Sequence, residues 1–370
     1  MSDLLAPPQL RPARCQLPVS WYFDPAVFER EKALLFDAGA TYVGHERMVP
    51  NPGDYRTLEW QDHAKVLVRN KDGQVELLSN ICRHRQSIML EGSGHLDTIV
   101  CPLHRWTYDL RGELMGAPKF AQDPRLNLQS TPLTSWNGLL FTGPRNPLQD
   151  LGPVIRSPDF DFSGYVLDKV ETTEYRFNWK TFIEVYLEVL HVDFFHPGLG
   201  NFTDCNHFTV EYGERTSVQV VSAKNGLLKP GSPVYRKWHE VCLRHLEGRA
   251  PKYGALWGAY YPGLTFEWYP NVLVVSHLIP RGPEHTTNVV EFYYPEDIAL
   301  FERDFVEAQQ AAYMETAIED DEISRRMDRG RKALWRQGLN EVGPYQSPME
   351  DAMIHFHEWV RKSLGEPANA

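Results

Sequence analysis

The sequence predicts two domains in 370 residues, a small all-β domain followed by an α+β domain built on an antiparallel sheet. Three observations predict it. Short alternating strands separated by turn residues fill the stretch from Thr41 to Phe141. A Pro- and Gly-rich segment from Gly143 to Pro158 then reads as a linker. Beyond it strands return in a run and two long helical stretches close the chain, the pattern of helices segregated onto an antiparallel sheet.

Residues 1–20 are rich in Pro and Arg and are expected to form an extended arm. Pro25 to Phe36 sets Phe28, Leu34, Leu35 and Phe36 among charges, as a short amphipathic helix does. Arm and helix, residues 1–40, are expected to pack on the second domain. In the first domain, residues 41–150, Tyr55–Trp60, Lys65–Arg69 and Val75–Leu78 are strands joined by turns at Asp62-His63 and Lys71-Asp72-Gly73. Thr98–Val100 and Gly138–Phe141 add more. The second domain, residues 151–370, begins with a strand over Lys169–Arg176. Asn178 then caps a helix expected to run to about Phe195. Strands follow at Phe208–Glu211, Thr216–Ser222, Thr265–Tyr269, Val272–Leu278 and Thr287–Tyr294. A charged helix is expected from Pro295 to about Leu334, and a last one from Pro348 to Leu364.

Apolar residues at 42% and charged residues at 24% give the balance of a globular chain. A net charge of −11 leaves no basic footprint for nucleic acid or an anionic membrane. No apolar run is long enough to span a bilayer. The N-terminus has neither the basic start nor the apolar core of a secretory signal, so a cytoplasmic location is expected. Five cysteines, at 15, 82, 101, 205 and 242, form an odd, scattered set unlike a disulfide scaffold.

Two of these cysteines open paired motifs. Cys82-Arg83-His84 is followed, after sixteen intervening residues, by Cys101-Pro102-Leu103-His104. One thiolate and one imidazole from each loop suit zinc as S2N2. They suit equally a [2Fe–2S] cluster with cysteines on one iron and histidines on the other. The flanking residues decide between them. Cys82-Arg83-His84-Arg85 and Cys101-Pro102-Leu103-His104-Arg105-Trp106-Thr107-Tyr108 resemble the two halves of the Rieske [2Fe–2S] motif. Gln86 stands where a glycine often follows His-Arg, and Arg105 replaces the commoner glycine after the second ligand histidine. The resemblance implies Cys82, His84, Cys101 and His104 as the cluster's ligands. Cys15, Cys205 and Cys242 are then left as inert thiols.

A second constellation lies in Glu184…Glu188…His191…His196-Pro197-Gly198. On a continuous helix Glu184, Glu188 and His191 would share one face. His191 and His196 would point about 140° apart. Both reach one ion only if the helix loosens, and Pro197-Gly198 offers a break. Two histidines with a distant carboxylate make the facial triad of non-haem Fe(II) oxygenases. Here Asn178-Trp179-Lys180, Glu184 and the spacing E-x2-H-x4-H resemble the iron site of Rieske non-haem iron oxygenase α-subunits. That family spans aromatic-ring dioxygenases and choline- and carnitine-type monooxygenases.

The resemblance covers about residues 40–335 and implies a helix-grip, START-like catalytic domain. It implies His191 and His196 as ligands of a mononuclear Fe(II), with a late-helix aspartate as the third. Spacing within Glu319-Asp320-Asp321-Glu322 favours Asp321, with Asp320 as the alternative. Glu188 is implied as the acid that links a cluster histidine of a neighbouring subunit to an iron histidine. The family's usual tyrosine before the first iron histidine is Leu190 here.

The implied activity uses O2 to hydroxylate, dihydroxylate or demethylate a small organic substrate, an aromatic compound or a quaternary amine. A glutamate at 188 in place of aspartate leans toward the quaternary amines. The sequence holds no G-x-G-x-x-G fingerprint and no C-x4-C-x2-C run. Electrons are therefore expected from a separate NAD(P)H-dependent reductase, with or without a ferredoxin. The family further implies a head-to-tail homotrimer. Tyr260, Tyr261, Phe266, Trp268 and Tyr269 are candidates to line an apolar or cation-binding pocket. The competing readings are a Rieske electron carrier with a non-catalytic ligand-binding domain, and a zinc-bound ligand-binding module.

Overall fold

The structure, a computed structural model, describes residues 10–11, 16–224, 227 and 229–365. Most of the expected N-terminal arm, with Cys15, lies outside them. The chain divides into two compact units: Ala40–Leu148, and the described residues up to Gly39 together with those from Gln149 onward. No helix of the described residues is long and apolar enough to cross a membrane.

The smaller unit is all-β. Its largest sheet has five strands in the order Ser130–Thr131, Val75–Ser79, Lys65–Arg69, Asp54–Thr57, Ser93–His95. The hairpin at its centre turns through Gly73, whose φ of +82° a residue with a side chain rarely adopts. Asn70 fixes that turn by accepting from the N–H groups of Asp72 and Gln74. Val66, Val68, Leu78 and Ile99 bury one shared core with Trp106 and Tyr108. A three-stranded sheet, Ile99–Val100, Thr107–Tyr108 and Leu114–Gly116, carries the second cysteine loop.

The larger unit is α+β. Helix α1 (Pro25–Glu31) is capped by the Asp24 side chain and buries Phe28 and Glu31. Seven antiparallel strands follow: β1 (Tyr165–Tyr175), β2 (Thr203–Tyr212), β3 (Thr216–Ala223), β4 (Ala255–Tyr260), β5 (Leu264–Tyr269), β6 (Val272–Gly282) and β7 (His285–Pro295). Their order in the sheet is β1-β7-β6-β5-β4-β3-β2. Between β1 and β2 lie α2 (Trp179–Leu187) and the short α3 (Val192–Phe195). Helix α4 (Pro233–His245) sits between β3 and β4, and α5 (Arg303–Arg336) and α6 (Asp351–Ser363) end the chain.

The 34-residue α5 lies against the sheet. Its Phe305, Val306, Ala308 and Ala312 join Val274, Val290 and Phe292 of the strands in one core. A second cluster joins α2 and α6 to the N-terminal segment through Trp179, Ile183, Phe356, Trp21 and Tyr22.

Three sequence expectations change. The helix expected from Asn178 to Phe195 ends at Leu187, where Glu188 turns extended at φ −95°, ψ 136°. The segment read as a linker holds a helix, Pro147–Leu151, and a 3-10 turn, Ser157–Phe160. Helix α4 and strand β4 were not expected at all. Ser232 and Pro233 do start α4 in the usual way, the serine accepting from Tyr235 N–H. All six residues of β4 are buried, so it shows none of the alternation that marks a half-exposed strand.

Candidate metal centres and the catalytic cavity

The two cysteine loops of the smaller unit share one hydrogen-bond pattern. Cys82 N–H donates to Ser87 O (2.8 Å) and Gln86 N–H to Cys82 O (3.0 Å). Likewise Cys101 N–H donates to Trp106 O (2.8 Å) and Arg105 N–H to Cys101 O (3.1 Å). Each loop closes through a left-handed residue, Gln86 at φ +52° and Arg105 at φ +61°. These are the two places where the motif's commoner glycine is missing. A side chain there costs about 1–2 kcal/mol that glycine avoids.

A β-branched residue tolerates that backbone least. Gln86→Val is expected to lower the unfolding free energy by about 1–2 kcal/mol, with Gln86→Gly causing no such loss. Thermal unfolding followed by circular dichroism reads the difference. Equal melting of the two variants would contradict the strain at this turn.

The loops bring Cys82, Cys101, His84 and His104 together. Both cysteines are buried. Burial pushes the Cys82 thiol up, and the neighbouring Cys101 adds to the effect. The Tyr108 hydroxyl stands 3.8 Å from Cys82 Sγ and accepts from Arg83 N–H. The His84 ring stacks on Trp106 at 5.0 Å and meets His104 edge-on at 4.6 Å. His84 Nδ1 is buried without a hydrogen-bond partner. Two adjacent thiols beside an unpartnered imidazole nitrogen form a donor set that fits a metal cluster.

In the larger unit the second centre is assembled from α3 and α5. The chain leaves α2 at Leu187, and Glu188 to Leu190 run outside any helix, so that His191 caps α3 and His196 ends it. The break therefore precedes His191 as well as following His196. Gly198 is needed next, because a Cβ there would lie 2.1 Å from the Tyr235 ring. Freed from one continuous helix, the two histidines converge. His191 Nε2 and His196 Nε2 lie 3.0 Å apart. Asp320 Oδ1 of α5 is 2.9 Å from His196 Nε2 and 3.5 Å from His191 Nε2.

The preferred third residue is thereby corrected from Asp321 to Asp320. On a helix adjacent residues point about 100° apart. Asp320 shares its face with Tyr313, Thr316, Ala317 and Ser324, all of which line the same cavity. Asp321 also borders the cavity, but its carboxylate pairs with Arg325, one turn along, and does not meet the histidines.

Each histidine's other nitrogen meets a carboxylate. Glu188 lies against His191 Nδ1, and its second oxygen accepts from His191 N–H. Glu319 Oε2 sits 2.7 Å from His196 Nδ1. Burial opposes charging His191, but hydrogen bonds to Asp320 and Glu188 outweigh it and raise its pKa to about 10. Carboxylates behind ligand histidines fix ring orientation and raise ligand basicity. His191, His196 and Asp320 thus offer three inward donors, all within 4.8 Å of one another, that fit a divalent metal. Glu319 was not singled out in the sequence. Its only signal was its place beside the aspartate.

Glu184, expected to share a face with His191, faces elsewhere. It is buried against Arg331 (2.6 Å) and His357 (2.9 Å), and these hold its carboxyl near a pKa of 2 despite desolvation. Asn178-Trp179-Lys180 is structural too. Asn178 caps α2, and Lys180 and Trp179 both bind Glu31.

A cavity of about 100 Å³ opens between the sheet and α5 at the metal-binding residues. That is small beside the roughly 300–1,000 Å³ typical of sites for drug-sized ligands. Of the five aromatic residues expected to line such a pocket, Tyr269 alone does. Strand alternation turns Phe266 and Trp268 to the other face: Phe266 packs on Phe160, and Trp268 meets Tyr253. Tyr260 donates to Asp150 and Tyr261 packs on Phe356. The lining comes instead from Trp257, Trp238, Tyr235, Tyr186 and Tyr313.

Comparison with known proteins gives the family. Residues 162–366 match the ring hydroxylating alpha subunit (catalytic domain) family, and residues 39–136 the Rieske [2Fe-2S] domain family. The chain belongs to the Rieske oxygenase α-subunits. It is 60% identical over 364 residues to a putrescine 2-hydroxylase of Ralstonia nicotianae, covering 98% of this chain and 100% of that protein. A putrescine 2-hydroxylase of Bordetella bronchiseptica is 55% identical, covering 99% of this chain and 88% of its own length. A solved structure of a quaternary ammonium Rieske monooxygenase shares the fold, with a TM-score of 0.75 at 20% identity over 96% of this chain and 99% of that one.

The family is catalytic, so the electron-carrier and zinc-module readings fall away. The smaller unit is the Rieske domain, and the larger is the catalytic domain of a family that binds mononuclear iron. Burial pushes the thiols of Cys205 and Cys242 up to about 12, as suits inert thiols.

Proposed function

We propose that this Rieske oxygenase hydroxylates a methylene carbon of a short aliphatic diamine, putrescine or a close analogue. Its identity of 60% across the whole of a putrescine 2-hydroxylase carries that reading. It replaces the quaternary amine and the aromatic compound as the favoured substrates. The expected stoichiometry is substrate C–H, O2, two electrons and two protons giving C–OH and water. The electrons come from a separate NAD(P)H-dependent reductase, directly or through a ferredoxin, and a homotrimer is the expected assembly.

Cys82, His84, Cys101 and His104 would hold the [2Fe–2S] cluster, and His191, His196 and Asp320 the mononuclear iron. When bound, the two groups would supply single-electron transfer and O2 activation beside the substrate. The chain's own residues do the rest. Glu188 and Glu319 hold the two imidazoles with Nε2 inward. Apolar and aromatic walls, including Leu199, Phe202 and Trp238, exclude water from the cavity. Glu188 is also the proposed bridge to a neighbouring subunit's cluster histidine.

The test is substrate-dependent O2 uptake by the iron-loaded protein with a surrogate reductase. Putrescine should stimulate uptake and gain one oxygen atom by mass spectrometry. Turnover of choline, carnitine or an arene with none of putrescine would overturn the diamine reading.

A further inference from the structure

We propose that Glu267 binds a protonated primary amine of the substrate and so selects what the cavity accepts, a step that rests on the diamine reading and deepens it. Five acidic residues line the cavity: Glu171, Glu188, Glu267, Asp320 and Asp321. Four of them have partners that bear or can bear a positive charge. Glu171 pairs with Lys169, Glu188 with His191, Asp320 with both metal-site histidines and Asp321 with Arg325. Glu267 has none among the described residues; its hydrogen bonds come from the hydroxyls of Tyr269 (2.7 Å) and Tyr313 (3.5 Å).

The position of Glu267 follows from the sheet. Along β5, Thr265, Glu267 and Tyr269 share one face, while Leu264, Phe266 and Trp268 take the other. Glu267 pairs in register with Trp257 of β4, and both line the cavity. Glu267 is 4% exposed. A buried, unpaired carboxylate is costly, and burial pushes its pKa up to about 7 while the nearby Asp320 charge adds to the rise. A cation entering the cavity would offset that cost.

The surrounding hydrogen bonds say which kind of cation. Trp257 Nε1–H donates to Tyr269 Oη (3.0 Å), which in turn donates to Glu267. A carboxylate has about four acceptor sites, and the two tyrosines occupy two. The remainder suit the N–H donors of a primary ammonium, at charge-assisted strength. A quaternary ammonium has no N–H to give. Trp257, Tyr269 and Tyr313 also line the cavity, and aromatic walls suit a cation.

The experiment is calorimetric titration of the anaerobic, cluster- and iron-loaded enzyme with 1,4-diaminobutane and with its uncharged analogue 1,4-butanediol. Glu267→Gln keeps the shape and removes the charge. It should raise the Kd for the diamine at least ~30-fold, raise KM in step and shift kcat much less. The wild type should favour the diamine over the diol, and E267Q should lose that preference. Diamine affinity within about threefold of wild type in E267Q would overturn the assignment. If E267Q fails to fold, the wild-type comparison decides: equal affinity for diamine and diol overturns it. A wild-type enzyme that neither binds nor oxidises any primary amine would bring down the diamine reading and this one together. A wild type that hydroxylates the diamine beside an unaltered E267Q would remove Glu267 alone.

Discussion

Replacing Asp320 by alanine is expected to strip the mononuclear iron and lower substrate-dependent O2 uptake at least ~100-fold. Iron analysis of the loaded protein should fall from about three atoms per chain to about two, since the cluster keeps its own pair. The visible spectrum of the Rieske domain should not change. The geometry behind this is the 2.9 Å and 3.5 Å approach of Asp320 Oδ1 to the two inward imidazole nitrogens. Losing the carboxylate leaves two neutral donors where three donors, one of them anionic, converged. Asp321→Ala is the control. Asp321 spends its charge on Arg325, in an exposed i,i+4 pair of the kind worth only about 0.3–0.5 kcal/mol. That variant should retain its iron and its turnover. The reverse outcome, iron lost with Asp321 and kept without Asp320, would restore Asp321 as the ligand.

Lys180→Met should destabilise the catalytic domain without touching either metal site. Lys180 and Glu31 form a 2.8 Å ion pair in which both side chains are 0% exposed. Burial lowers the lysine's pKa, and Glu31 opposes the shift. With Lys180 gone, the Glu31 carboxylate stays buried with the indole N–H of Trp179 as its remaining hydrogen-bond donor. Removing one partner of a buried pair costs about 3–5 kcal/mol. At about 2–4 °C per kcal/mol for a domain of this size, the melting temperature should fall by roughly 6–20 °C. Replacing both partners, as E31L with K180M, should recover most of the loss, because a well-packed apolar substitute for a buried ion pair is often neutral. A single K180M variant melting with wild type would show that the pair does not hold α1 to α2.

Chemistry carried by local order is legible in the chain without its fold. Each cysteine–histidine pair sits on one tight turn, and a turn is legible from a few neighbouring residues. The two histidines around Val192–Phe195 and the period-2 strands from Thr265 to Tyr294 were legible in the same way.

Features that depend on residues far apart in the chain emerge with packing. Adjacent aspartates are equivalent in sequence until packing of α5 on the sheet sets which side faces inward. Glu188 breaks the helix that spacing alone would continue, and that break lets His191 and His196 meet. Strand β4 escaped notice because burial on both faces erases the alternating pattern, so its Trp257 did too. Glu267 looked like any strand glutamate. Its lack of a cationic partner among the described residues is a property of everything folded around it.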